Sequence, residues 1–200
     1  MCCPCLGSEV LYNNGPDTGS IGAWPINFGR SVSNSFTLEQ DSRITDVVFS
    51  IWSVDDLNHP LRAKWKITTE PFGGEVLASG ESLLGLESYF HNRLYTVWKM
   101  KIQGMNANLP AGTYYLEIYD VLMQFQTWAF WGESDGIGCT SRGCPSTAYF
   151  DPARSSGYGM TQPIGSESFE ITAVRLKLEQ NQLVDVVGEI GVLVDRLKSA

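Results

Sequence analysis

The stretch Leu109-Pro110-Ala111-Gly112-Thr113-Tyr114-Tyr115-Leu116-Glu117-Ile118-Tyr119-Asp120 constrains the fold more than any other. Pro110 fixes a backbone dihedral and Gly112 lets the chain reverse. Tyr114, Leu116 and Ile118 then alternate with Tyr115, Glu117 and Tyr119, the period of two that marks a strand leaving a tight corner. In immunoglobulin-like sandwiches a tyrosine just past such a corner returns its hydroxyl to the corner backbone. The segment therefore reads as a strand entering the middle of an antiparallel β-sandwich.

Other runs repeat the pattern. Ser31 to Leu38 alternates loosely, Ile44 to Val54 is rich in β-branched and aromatic residues, and Trp65, Ile67 and Thr69 alternate with Lys64, Lys66 and Thr68. Leu94 to Ile102 places Trp98, Met100 and Ile102 on one face and Lys99 and Lys101 on the other. Shorter pieces at Glu9–Tyr12, Ala23–Asn27, Glu75–Ala78 and Gln126–Trp131, the last read as a hairpin partner of the corner strand, and a closing strand at Ser166–Ile171 complete the set. Asn13-Asn14-Gly15-Pro16-Asp17 and Pro71-Phe72-Gly73-Gly74 are dense turn signals. About eight to ten short strands at this spacing imply an all-β, jelly-roll or immunoglobulin-like sandwich over residues 9–172. With 6 Trp, 8 Tyr and 9 Phe, the chain has core enough to fold without staples.

From Ala173 to Ala200 the texture changes: no proline, no aromatic residue and no turn cluster. Leu176, Leu183, Val186, Ile190, Leu193 and Leu197 occupy a and d positions of a heptad, and Val187 and Val194 widen the stripe. This predicts a C-terminal amphipathic helix for oligomerisation or docking, ~37 Å long over ~25 residues. A strand alternation through Val184, Val186, Ile190, Val192 and Val194 is the rival, favoured by Gly188 and Gly191, each of which weakens a helix by ~1 kcal/mol. A lone apolar stripe needs a partner, either the domain's own surface, further copies of the chain or another structural protein.

Only 18% of residues are charged and the formal net charge is -8, with 14 Lys and Arg scattered. No basic footprint for a nucleic acid is written there. No run reaches the ~20 apolar residues of a membrane-spanning helix, and Met1 to Glu9 has neither a basic n-region nor an apolar h-region. The chain as given is expected to carry no signal peptide.

Cysteines fall in a terminal cluster, Cys2, Cys3 and Cys5, and a loop pair, Cys139 and Cys144, separated by a run containing Gly143. The loop pair can close a small disulfide ring. A zinc site joining the two groups is the competing reading, and terminal cysteines are also acylation candidates.

No nucleophile elbow, phosphate loop or His-Glu-x-x-His motif is present, and His59 and His91 both sit in turn-like stretches, so a non-enzymatic protein is expected. Asp55, Asp56 and Asn58, or Glu133 and Asp135, offer oxygen ligands on turns suited to calcium. Trp131, with Glu133 and Asp135, is the candidate glycan-binding group, while Trp128 reads as a core residue of its strand.

Together, Leu11-Tyr12-Asn13-Asn14-Gly15-Pro16, Phe36-Thr37-Leu38 before Ile44-Thr45-Asp46-Val47, Pro71-Phe72-Gly73-Gly74, Leu109 to Tyr114 and Ser166-Glu167-Ser168-Phe169 resemble the extracellular β-sandwich domains of bacterial PEP-CTERM surface proteins over about residues 9 to 172. The resemblance implies a secreted, non-enzymatic surface domain associated with exopolysaccharide or envelope material. The family's Pro-Glu-Pro sorting tail and signal peptide are not seen in this sequence. An outward-facing sandwich, an oligomerising tail and no export signal together point to the surface of a bacteriophage virion, as a fibre, decoration or adhesin subunit. A secreted envelope protein and a carbohydrate-binding module are the alternatives.

Overall fold

In the computed structural model, residues 7–152 and 162–176 are described. They form thirteen strands and no helix: β1 (Glu9–Asn13), β2 (Ala23–Pro25), β3 (Ser31–Leu38), β4 (Ser42–Ser53), β5 (Pro60–Glu70), β6 (Gly73–Leu83), β7 (Gly85–Asn92), β8 (Tyr95–Leu109), β9 (Gly112–Met123), β10 (Phe130–Gly132), β11 (Ala148–Asp151), β12 (Gln162–Ile164) and β13 (Phe169–Arg175). Every pairing is antiparallel, in two sheets packed as a sandwich. In the first sheet β4 is flanked on one side by β8 and then β7, and on the other by β13 and β10, which carry β1 and β2 respectively. The second sheet runs β12-β11-β3-β9-β5-β6.

The corner strand behaves as its pattern demands. β9 lies between β3 and β5, and Tyr114, Leu116 and Ile118 enter the core. Facing them from the first sheet are Val47, Phe49 and Ile51 of β4, Trp98, Met100 and Ile102 of β8, and Phe169 and Ile171 of β13. Alternation along each strand supplies this dry layer. The expected hairpin between β9 and β10 does not form, because β10 crosses into the other sheet and pairs with β2 and β4.

The sandwich also runs past residue 172. Ala173, Val174 and Arg175 stay paired with Ile44, Arg43 and Ser42 of β4, Ala173 continuing the inward series of Phe169 and Ile171, so no helix begins at Ala173. Arg175 is held further by an ion pair with Glu9 of β1. The remaining heptad positions from Leu183 onward lie outside the described residues.

Candidate functional site

Beyond β2 the chain makes a turn that is bolted down from two sides. Ile26 N–H donates to the Ala129 carbonyl at 3.0 Å, Val121 N–H to the Ile26 carbonyl at 3.2 Å, and Arg30 N–H to the Asn27 carbonyl at 3.2 Å. The buried Asn27 amide donates to the Thr127 carbonyl at 2.8 Å and accepts from Ala129 N–H at 3.3 Å. This frame holds Phe28 at φ 53°, a left-handed conformation that costs a bulky residue about 1–3 kcal/mol.

The strained Phe28 ring is exposed. It meets Trp128 edge-on, with ring centroids 4.8 Å apart, and the Arg30 guanidinium sits 4.7 Å over the Trp128 ring. Beside Phe28 opens a cleft of about 270 Å³ whose polar wall is Arg62, Lys64, Glu81, Asp120 and Gln126. Arg62 pairs with Glu81 at 2.7 Å and Lys64 with Asp120 at 3.1 Å, all four side chains partly exposed. Exposed pairs of this kind contribute less than about 1 kcal/mol each, so Arg62, Glu81 and Lys64 can turn to a ligand at small cost. Asp120 at φ 46° and Gln126 at φ 52° share the left-handed backbone of Phe28. Half of the six non-glycine residues in that conformation among the described residues therefore line one cleft. Left-handed backbone gathered at one cleft, with the bulky Phe28 its true outlier, makes that cleft the candidate site.

The residues picked out by sequence are placed elsewhere. Trp131 is 0% exposed, its ring lies between Phe49 and Phe169 at 5.7 and 5.8 Å, and its indole N–H donates to the Ser168 carbonyl at 3.0 Å. It is a core residue, and no surface ligand can stack on it. Trp128, at 38% exposure, is the ring that faces outward. The register of β10 against β2 and β4 sets Trp131 opposite Trp24 and Ile51, which turns it inward. Glu133 accepts from the Trp24 indole N–H at 2.7 Å, and the exposed Asp135 closes a turn by accepting from Ile137 N–H at 2.8 Å. The three do not form one surface.

The calcium candidates are similarly dispersed. Asn58 is buried and committed to Phe125 N–H, at 2.8 Å, and to the Thr127 hydroxyl, while Asp55 accepts from Leu57 N–H at 3.1 Å. Among the described residues, no three His, Cys, Asp or Glu side chains are grouped so as to hold a metal ion. Cys139 and Cys144 are joined as a disulfide with Cα atoms 5.9 Å apart, which removes them from a zinc site. Cys2, Cys3 and Cys5 lie outside the described residues, as do Leu183, Val186, Val187, Ile190, Leu193, Val194 and Leu197. Leu176 is exposed just beyond β13. No protein-family model matches the chain, and a search of curated proteins returns no match.

Proposed function

We propose that the chain is a non-enzymatic surface-display module that binds glycan at the Phe28 cleft. The observation that carries this reading is the exposed Phe28 ring, held at φ 53° beside the ion-paired side chains of Arg62, Lys64, Glu81 and Asp120. A sugar ring has an apolar C–H face and a rim of hydroxyls. An exposed aromatic face takes the first, and charged donors and acceptors take the second. At about 270 Å³ the cleft suits one ring or the end of a chain rather than an extended polysaccharide.

The setting proposed for this activity is the outside of a particle or cell. A fibre, decoration or adhesin subunit of a bacteriophage virion is the first choice, and a PEP-CTERM-type envelope protein the second, in each case with a jelly-roll or immunoglobulin-like topology. A glycan array probed with the wild-type chain and with Trp128→Ala and Phe28→Ala tests the binding. Binding to a limited set of glycans, lost at least tenfold in both variants, is expected. Glycan binding that both variants retain would remove the cleft from the proposal.

A further inference from the structure

Past the end of β10, Glu133 forms a single antiparallel bridge to Glu167. Residues paired in this way carry their side chains on the same face of the sheet, with Cβ atoms about 4.5–5.5 Å apart, an unfavourable arrangement for two like charges. The two carboxyls are treated very differently. Glu133 is half-buried and accepts from Trp24, while Gly22 and Gly165 close over it so tightly that a Cβ on either would sit 2.8 or 2.7 Å from its oxygens. Glu167 is 0% exposed, and neither of its carboxyl oxygens has a hydrogen-bond partner.

The backbone of Glu167, by contrast, is fully engaged. Its N–H donates to Asn34 Oδ1 at 3.3 Å and its carbonyl accepts from Asn14 Nδ2. Asn14 and Asn34 are tied in turn to Ser146 and Ser166, and the Ser168 hydroxyl donates to the Gly15 carbonyl at 2.9 Å. Only the Glu167 side chain is left over in a network that otherwise satisfies itself, and a buried carboxylate without donors is too costly to persist as such.

The charged groups around it are of the wrong sign to help. Glu133 faces it across the bridge, and Asp17 approaches from the segment after β1, already accepting from Trp52 Nε1 at 2.6 Å and Gly19 N–H at 2.7 Å. From β1, the buried Tyr12 hydroxyl is spent on Asn14 Oδ1 at 3.1 Å. On β13, Glu170 turns to Lys99 at 3.6 Å, and Asp135 lies out on its exposed turn. Among the described residues, no Lys or Arg forms an ion pair with Glu133 or Glu167.

We propose that Glu167 is carried as the neutral acid opposite the Glu133 carboxylate, and that this pair is a pH-sensitive latch joining the segment around Asn14 and Asp17, the end of β10 and the approach to β13. Burial first, and then the charges of Glu133 and Asp17, push the Glu167 carboxyl well above its ordinary 4.5. A carboxyl raised in the folded state binds its proton more tightly there than in the unfolded chain. The stability it contributes is complete below the ordinary value and is lost as pH rises through the folded one. The latch is thus closed in mild acid and strained as the medium turns alkaline.

Thermal unfolding of the wild-type chain and of Glu167→Gln and Glu133→Gln, followed from ~pH 5 to ~pH 8, tests this. Glutamine at 167 has the shape of the neutral acid and cannot ionise. The wild-type midpoint is expected to fall by several degrees over this range, and Glu167→Gln to flatten that fall. Glu133→Gln, which removes only the opposing charge, is expected to flatten it in part. Infrared difference spectra of the wild-type chain near neutral pH are expected to contain the absorption of an un-ionised carboxyl group that Glu167→Gln lacks, or, should that variant not fold, one that shifts in Glu133→Gln. A wild-type chain without that absorption overturns the proposal. So does a fall in midpoint that keeps its full slope in both variants, or a calcium-dependent rise at ~pH 8 that EDTA reverses, which would put a cation in place of the proton.

Discussion

The Tyr114 hydroxyl donates to the Pro110 carbonyl at 3.0 Å, folding the phenol back over the corner from which β9 departs. The same ring packs 5.8 Å from Phe36 of the neighbouring β3, so one side chain holds both the turn and a cross-strand contact. Tyr114→Phe keeps the packing and deletes only the hydrogen bond. A loss of about 1 kcal/mol is expected in urea unfolding, with an unchanged slope.

Trp128 and Trp131 make opposite predictions although both belong to one strand-like run. Trp131→Ala empties a core site walled by Phe49 and Phe169 and leaves the Ser168 carbonyl without its donor, for an expected loss of about 3–5 kcal/mol. Trp128→Ala removes a half-exposed ring touching Phe28 and Phe130, for an expected loss nearer 1 kcal/mol. Chemical denaturation of the two variants side by side checks the contrast.

How far such residues could be read in advance depends on whether their surroundings are local. The corner, the run Ser31–Leu38 and the inward faces of β8 and β9 follow from turn residues and alternation alone, and they fold as written. β7 gave no such signal, because as an edge strand with an exposed chain of side chains it has no dry face to alternate with. Trp131 reads as a surface ring because only the register with β2, a partner more than a hundred residues away, turns it inward. Phe28 carries no signal at all: a left-handed φ at a phenylalanine is imposed by Ala129, Val121 and Thr127 from distant parts of the chain. Likewise, Ser166–Ile171 reads as a closing strand, but nothing in that run marks Glu167 as interior, and only Asn14 and Asn34 from distant parts of the chain reveal it.

The Cys139–Cys144 ring closes a loop that is stitched to β1, where Asn13 N–H donates to the Ser141 hydroxyl at 2.7 Å. Opening a ring this small gives back about 2 kcal/mol of unfolded-state entropy. A matched drop in stability is expected for the reduced chain and for the Cys139→Ser, Cys144→Ser double variant, measured by denaturant unfolding with and without a thiol reductant.

Gly132 sits where no side chain fits. A Cβ there would collide with the Asp17 carboxylate, the Trp52 indole nitrogen and the Ser50 hydroxyl. Gly132→Ala must therefore push the Asp17 segment off the sheet and break the Trp52–Asp17 hydrogen bond. The expected cost exceeds about 3 kcal/mol, at the upper end for overpacked sites. Asp17→Asn, which keeps an acceptor for Trp52 and removes a charge that burial already disfavours, is expected to cost far less. A difference of several degrees in midpoint between the two variants checks this.

Phe28 offers the sharpest separation of stability from function. Glycine adopts φ 53° without the steric cost that phenylalanine bears, so Phe28→Gly relieves about 1–2 kcal/mol of backbone strain. Against this stand the lost edge contact with Trp128 and the greater freedom of the unfolded chain, together of about the same size. The variant is expected to unfold within about 1 kcal/mol of the wild-type chain while losing glycan binding, as judged by denaturation and array signal on the same preparation. That outcome would mean the Phe28 ring serves what it touches rather than the stability of the fold. Should Phe28→Gly instead unfold several kcal/mol earlier, the ring would be a structural wedge and its strain would carry no functional meaning.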